Sequence, residues 1–109
     1  MTLQQILTYA QSKPAAEHEY KTEWEADILK IKGKMFAFLG GDKENNRILN
    51  LKNDPQTNIE LREKYPDLVK AGYYSNKTHW NSWYYDKTDE KILKSQIDRS
   101  YELVAGKQK

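Results

Sequence analysis

The chain has 109 residues, with 18 Lys or Arg against 16 Asp or Glu and no cysteine. That length supports one modest hydrophobic core and is short for two. The missing thiols exclude disulfide frameworks, thiolate metal sites and cysteine nucleophiles, and they suit a cytoplasmic setting. No apolar run reaches the roughly 18–20 residues that a membrane helix needs, so no membrane partner is expected. The first residues also lack the basic-then-apolar order of a secretion signal. Charge is unevenly spread. Residues 1–29 hold two Lys against five acids, and the remaining sixteen cations stand against eleven acids. A basic face on the later part of the molecule is one reading of that split; two ordinary solvated surfaces is the other.

Leu3, Ile6, Leu7 and Ala10 recur at helical spacing, and Thr2 with Gln5 has the form of a capping box, which predicts a helix from Thr2 to about Ser12. Pro14 ends it. The period then changes. Leu29 and Ile31 alternate with Lys30 and Lys32, Met35 to Leu39 run almost unbroken, and Lys32-Gly33 between them reads as a tight hairpin turn. An earlier short strand around Glu19 to Trp24 is a further candidate outside the main order. Gly40 to Asn46 reads as a polar loop and Arg47 to Lys52 as a strand. Asp54-Pro55 starts a helix that should reach about Lys64 and bury Ile59, Leu61 and Tyr65. "VKAGYY" and "HWNSWYYD" read as two strands joined by "SNKT". Thr88 should cap a last helix whose stripe of Ile92, Leu93, Gln96, Ile97, Ser100, Tyr101 and Val104 is a core face. Residues from about 105 to 109 read as a frayed basic tail. The order α-β-β-β-α-β-β-α has no βαβ alternation. It predicts an α+β fold, a single domain over residues 1–109, with an antiparallel sheet and helices packed on one face.

The common catalytic signatures are absent. There is no glycine-rich phosphate loop, no nucleophile elbow and no HExxH pair. Glu17 and Glu19 flank His18 but share a strand face with each other and not with it, so a metal site there would need ligands from elsewhere. A solvated acidic edge that discourages strand-to-strand aggregation accounts for them. Histidine is a common general base, so His79 could act as one, yet its own segment supplies neither an orienting partner nor a pocket. No enzyme, cofactor or metal is expected.

The stretch "YYSNKTHWNSWYYD" (Tyr73 to Asp86) holds six of the chain's thirteen aromatic residues. In an extended strand Trp80, Ser82 and Tyr84 share one face, and Asn81, Trp83 and Tyr85 the other. Placing Trp83 and Tyr85 on the core side leaves Trp80 and Tyr84 near the open face, beside Lys77 and His79. Flat rings beside cations suit base stacking and phosphate contact. The same rings could serve only to shield the sheet, and the strand alone favours that reading.

"KMFAFL" (Lys34 to Leu39), "LNLKNDP" (Leu49 to Pro55), "LREKYPD", the aromatic stretch with its "NKTHWN" core, and "IDRSYELV" (Ile97 to Val104) together resemble the MmcQ/YjbR-like family. So does the ending "KPAAE" of the first helix. The similarity spans nearly the whole chain in one order. It implies a small α+β domain of the secretion-chaperone-like or frataxin-like kind. It also implies a DNA-binding label with a double-wing arrangement of β-hairpins, a label that rests largely on fold. The chain departs from the family's pattern in carrying Trp83 and Tyr85 where smaller aliphatics are usual.

The leading expectation is therefore a non-enzymatic nucleic-acid-binding module, with DNA as partner and little sequence preference. Lys52, Lys77 and Arg47 would contact phosphates, Asn76 and Asn81 would donate hydrogen bonds, and His79 with Trp80 would pack on sugar or base. The alternatives are a protein-interaction module, by self-association or with another protein, and a small-ligand pocket around His79 and Trp80.

Overall fold

The computed structural model describes residues 1–41, 47–72 and 77–106. Its first helix, α1 (Leu3–Gln11), starts with the expected reciprocal cap, Gln5 N–H donating to Thr2 Oγ1 at 3.1 Å and Thr2 N–H to Gln5 Oε1 at 2.9 Å. Four strands follow: β1 (Ala16–Lys21), β2 (Ala26–Ile31), β3 (Lys34–Gly41) and β4 (Arg47–Lys52). The candidate strand at Glu19 to Trp24 is real but lies earlier, at Ala16–Lys21. Trp24 and Glu25 belong to the β1–β2 turn, where their amides bond Lys21 O and Thr22 O and Glu25 takes φ +49°. Between β2 and β3, Lys32 at φ +52° and Gly33 at φ +78° give the two positive dihedrals of a type I′ hairpin turn.

Asp54 caps α2 (Pro55–Lys64) through the Thr57 amide and hydroxyl, at 3.0 and 2.7 Å. One expectation about this helix fails. Ile59 is 42% exposed, and the buried residue is its neighbour Asn58. Leu61 and Tyr65 do pack on the core, half-buried. The helix turns a partly polar side inward because its contacts are amide groups of the chain beneath it. Two short strands, β5 (Val69–Ala71) and β6 (Trp80–Trp83), precede α3 (Glu90–Gly106). The cap of α3 is Asp89 and not Thr88. Asp89 Oδ2 accepts from the Lys91 amide at 3.0 Å, while the Thr88 hydroxyl is turned back onto Tyr84 O at 2.9 Å.

The sheet runs β1-β2-β3-β4-β6-β5 and every pairing is antiparallel. The observed order therefore holds one strand more than expected, the added one being β1 at the sheet edge. Helices share one face, as the sequence predicts. Ile6, Leu7 and Ala10 of α1 and Leu93, Ile97 and Val104 of α3 meet Leu29, Leu39, Leu49, Leu51 and Trp83 from the sheet. At roughly 1.5–3 kcal/mol per fully buried large side chain, this cluster is the main source of stability. Polar contacts pin α1 to α3. The Tyr9 hydroxyl donates to Asp98 at 2.6 Å, Lys13 pairs with Asp98, and the Tyr101 hydroxyl donates to Pro14 O at 2.6 Å.

A local fault in the sheet is closed by α3. β2 and β3 slip register after Leu29, which pairs with Ala37 while Lys30 pairs with Met35, so Phe36 is an extra residue. The β3–β4 ladder likewise stops at Ala37 opposite Leu51. Ser100, fully buried, fills the gap by donating its hydroxyl to Phe36 O and accepting from the Lys52 amide at 2.8 Å.

Candidate nucleic-acid interface

The residues singled out in the sequence fall into three groups. Lys52, Lys77 and His79 come together at one end of the sheet. β4 and β6 pair so that Lys52 lies opposite Trp80, and the Asn53 amide donates to His79 O at 3.0 Å. Lys77 is exposed and its ammonium donates to Gly72 O at 2.9 Å; Lys52 and His79 are half-buried. Arg47 stands apart, at the opposite end of β4. It is exposed, and a hydrogen bond to the Tyr85 hydroxyl is the main cause of its raised pKa. Five residue steps of a strand separate it from Lys52, about 16–17 Å. A single phosphate cannot bridge the two. Asn76 lies outside the described residues.

Trp80 and Asn81 require correction. Trp80 is on the sheet face away from the helices, as alternation predicts, but that face is not open around it. The ring is 9% exposed, packed in a second apolar cluster with Ile28 and Phe38, its centroid 5.8 Å from that of Phe38, and Met35 lies against the group. A base cannot stack on a ring so covered. The same face buries Asn50 and Ser82, whose side chains bond each other, with Asn50 Nδ2 donating to Phe38 O. Tyr84, expected beside Trp80, is half-buried just beyond the end of β6. Asn81 points the other way, toward α2, and is 1% exposed. Its Oδ1 accepts from Arg62 at 2.9 Å and its Nδ2 donates to Asn58 O at 3.3 Å, so its amide is committed inside the protein. Trp83 and Tyr85 do lie on the core side, at 1% and 3% exposure.

Three residues not singled out in the sequence build the turn that carries Lys77 and His79. Arg62 donates to Lys77 O at 3.2 Å, Asn58 Nδ2 to Thr78 O at 3.1 Å, and Asn53 N–H to His79 O. Three consecutive carbonyls are thus held by the end of β4 and by α2. Asn58 and Arg62 sit four residues apart on one helix face, a spacing that signals a shared inward surface. Asn58 Oδ1 is buried and has no hydrogen-bond partner among the described residues.

Among the described residues, no group of three or more His, Asp or Glu side chains is placed to hold a metal. His18 Nε2 lies 2.8 Å from Asp27 Oδ1 across the β1–β2 pair. A shallow cleft of about 180 Å³ beside Arg47 is lined by Leu3, Glu25, Asp27, Gly40 and Tyr85, cation and acids together. No helix among the described residues is long and apolar enough to cross a membrane.

Comparison with known proteins agrees with this architecture. A Deinococcus radiodurans protein with the DUF419 domain superposes with a TM-score of 0.86 at 25% identity, over 99% of this chain and 81% of that one. A Pseudomonas syringae protein superposes with a TM-score of 0.83 at 23% identity, over 95% and 99%, which is a likeness of fold. In sequence, the uncharacterised protein YjbR of Escherichia coli K12 is 31% identical over 108 residues, covering 97% of this chain and 89% of that protein. The uncharacterised protein YbdF of Escherichia coli O157:H7 is 38% identical over 81 residues, 73% of this chain and 65% of that protein. The YjbR family model matches residues 11–103, and with the E. coli relative aligned along almost the full length, the chain belongs to the YjbR family.

Proposed function

We propose that the protein is a non-enzymatic nucleic-acid-binding module that grips phosphates with Lys52, Lys77 and His79 and reads little sequence. The observation that carries this is the β4–β6 pairing, which sets Lys52 opposite Trp80 and beside the Lys77–His79 turn. The bond to Gly72 O takes one of the three ammonium donors, so Lys77 can meet a phosphate oxygen while anchored there. Trp80, opposite Lys52, is packed in the sheet's second apolar cluster and does not act as a stacking platform. The Arg62 fork beside this cluster is engaged with Lys77 O and Asn81 and so is not offered to base edges. Contacts of this kind position a backbone without specifying sequence.

The acidic β1–β2 hairpin does not oppose such binding. At the usual strand spacing β1 stands about 14 Å from β4, which carries Lys52, and about 19 Å from β6, against a screening length of about 8–10 Å in physiological salt. A double-wing grip that pressed this hairpin on the duplex would set carboxylates against phosphates, so in this reading the hairpin stays off the nucleic acid.

The test is anisotropy of labelled single- and double-stranded oligonucleotides across a salt series, for the native chain and for Lys52→Ala, Lys77→Ala and the double variant. Each phosphate that is no longer neutralised should flatten the log–log salt slope by about 0.9 for duplex and about 0.7 for single strands. An unchanged slope in the double variant, or no binding by the native chain at low salt, refutes the proposal.

A further inference from the structure

We propose that the free edge of β1, with the β1–β2 turn, docks an extended basic segment of a partner protein, which adds to the sheet as a strand next to β1. This surface is separate from the cationic end around Lys52 and Lys77. Among the described strands, β1 pairs only with β2, so its outer backbone groups face away from the sheet. Glu17, His18, Glu19 and Tyr20 are all exposed along it. Of the three large apolar residues exposed among the described residues, two are here, Tyr20 at 55% and Trp24 at 58%. Their amphipathic rings are the side chains most often found at the energetic centre of protein interfaces.

Charge selects the occupant. Residues 16–26 carry four Glu against a single Lys. Glu19 pairs with Lys30 at 2.9 Å and His18 with Asp27, while Glu17, Glu23 and Glu25 make no ion pair among the described residues. A second copy of the same edge would set glutamates against glutamates, and like charges across an interface are costly. A segment carrying Lys or Arg at alternate positions meets Glu17 and Glu19, which share one strand face. Charges alone can guard an edge against aggregation. A guard has no use for a half-exposed Tyr and Trp on the same edge, whereas strand addition uses backbone bonds for affinity and side-chain contacts for choice.

The experiment titrates the full chain with capped nonapeptides that alternate Lys or Arg with Val, Thr or Tyr, and with the same peptides carrying Glu for every cation. Amide hydrogen exchange over Ala16–Lys21 and Trp emission are the readouts, with Trp24→Phe assigning the emission change. Basic peptides should slow exchange on β1 and shift the Trp24 signal, and acidic ones should do neither. The triple variant Glu17→Lys, Glu23→Lys, Glu25→Lys, checked for native circular dichroism, should bind at least about tenfold more weakly. Should that variant not fold, Glu17→Gln alone must weaken binding in the same direction. Equal binding of acidic peptides, or no β1 protection by any basic peptide at millimolar concentration, overturns the proposal. So does a concentration-dependent mass of the chain alone accompanied by the same protection, which would give the edge to a second copy.

Discussion

Ser100 offers the sharpest energetic test of how this sheet is held. Its hydroxyl sits where the β3–β4 ladder fails, donating to Phe36 O and accepting from the Lys52 amide at 2.8 Å, with no exposed surface of its own. Ser100→Ala removes one oxygen and strands two backbone groups. Each buried group left without a partner costs about 1–3 kcal/mol, and the gain in helix propensity on going to Ala returns at most about 0.5 kcal/mol. Allowing Lys52, which is half-buried, to recover part of its loss through water, the net destabilisation should be about 2 kcal/mol. That is a large share of the roughly 5–15 kcal/mol typical of a domain. Urea unfolding followed by circular dichroism should show a lower midpoint at an unchanged m-value, and the thermal midpoint should fall by about 8–16 °C. A change below about 0.5 kcal/mol would refute the reasoning, because it would mean that Phe36 O and the Lys52 amide satisfy each other once the hydroxyl is gone.

Arg62→Met should destabilise by about 1–3 kcal/mol, since it leaves the buried Asn81 Oδ1 without its donor, and should speed amide exchange in Trp80–Trp83. Asp54→Asn tests the acid limb of stability. The Asp54 carboxyl is held below its ordinary value of 3.8, first by the Thr57 hydroxyl and then by the Thr57 amide. A depressed carboxylate contributes stability that is complete above the ordinary value and lost as pH falls through the lower folded one. The Asn variant keeps a cap at neutral pH, so its stability should decline less steeply than that of the native chain below about pH 4; equal steepness would assign acid unfolding to other groups.

The legible parts of the fold are those where a local rule and the tertiary structure ask for the same residue. Thr2 with Gln5, Asp54 with Pro55, and Lys32 with Gly33 fix a helix start, a second helix start and a hairpin turn in two to four residues each, and the structure has all three. β1 is nearly invisible in the sequence because an exposed edge strand has no apolar alternation to show; "AEHEYK" carries its strand character only through pairing with β2. Ile59 misleads because hydrophobicity is not the mark of an inward position on this helix. The inward face of α2 instead carries Asn58, whose amide holds backbone carbonyls. For Trp80 the face is legible and the exposure is not. Alternation reports which side a residue takes, and it cannot report that Ile28 and Phe38, from strands far off in sequence, build a second apolar cluster there.

The "NKTHWN" segment raises the question of whether it exists to bind or to make its own turn. Over the described part, its backbone and its side chains divide that labour. The carbonyls of Lys77, Thr78 and His79 are each taken by a donor from Asn53, Asn58 or Arg62, and the Asn81 amide closes the same network from below. Trp80 anchors the segment to the opposite face through Phe38. These contacts oblige the main chain, Trp80 and Asn81 to stay as they are. The three turn carbonyls take their donors from other residues and not from the Lys77 or His79 side chains, while the Lys77 ammonium holds Gly72 O. A turn fixed by its backbone and displaying its side chains is a rigid mount, and rigid mounting reduces the ordering cost of a weak, backbone-directed contact. Strong structural restraint at Trp80 and Asn81 is thus compatible with a binding role at Lys77 and His79, and the two roles separate by residue within one six-residue stretch.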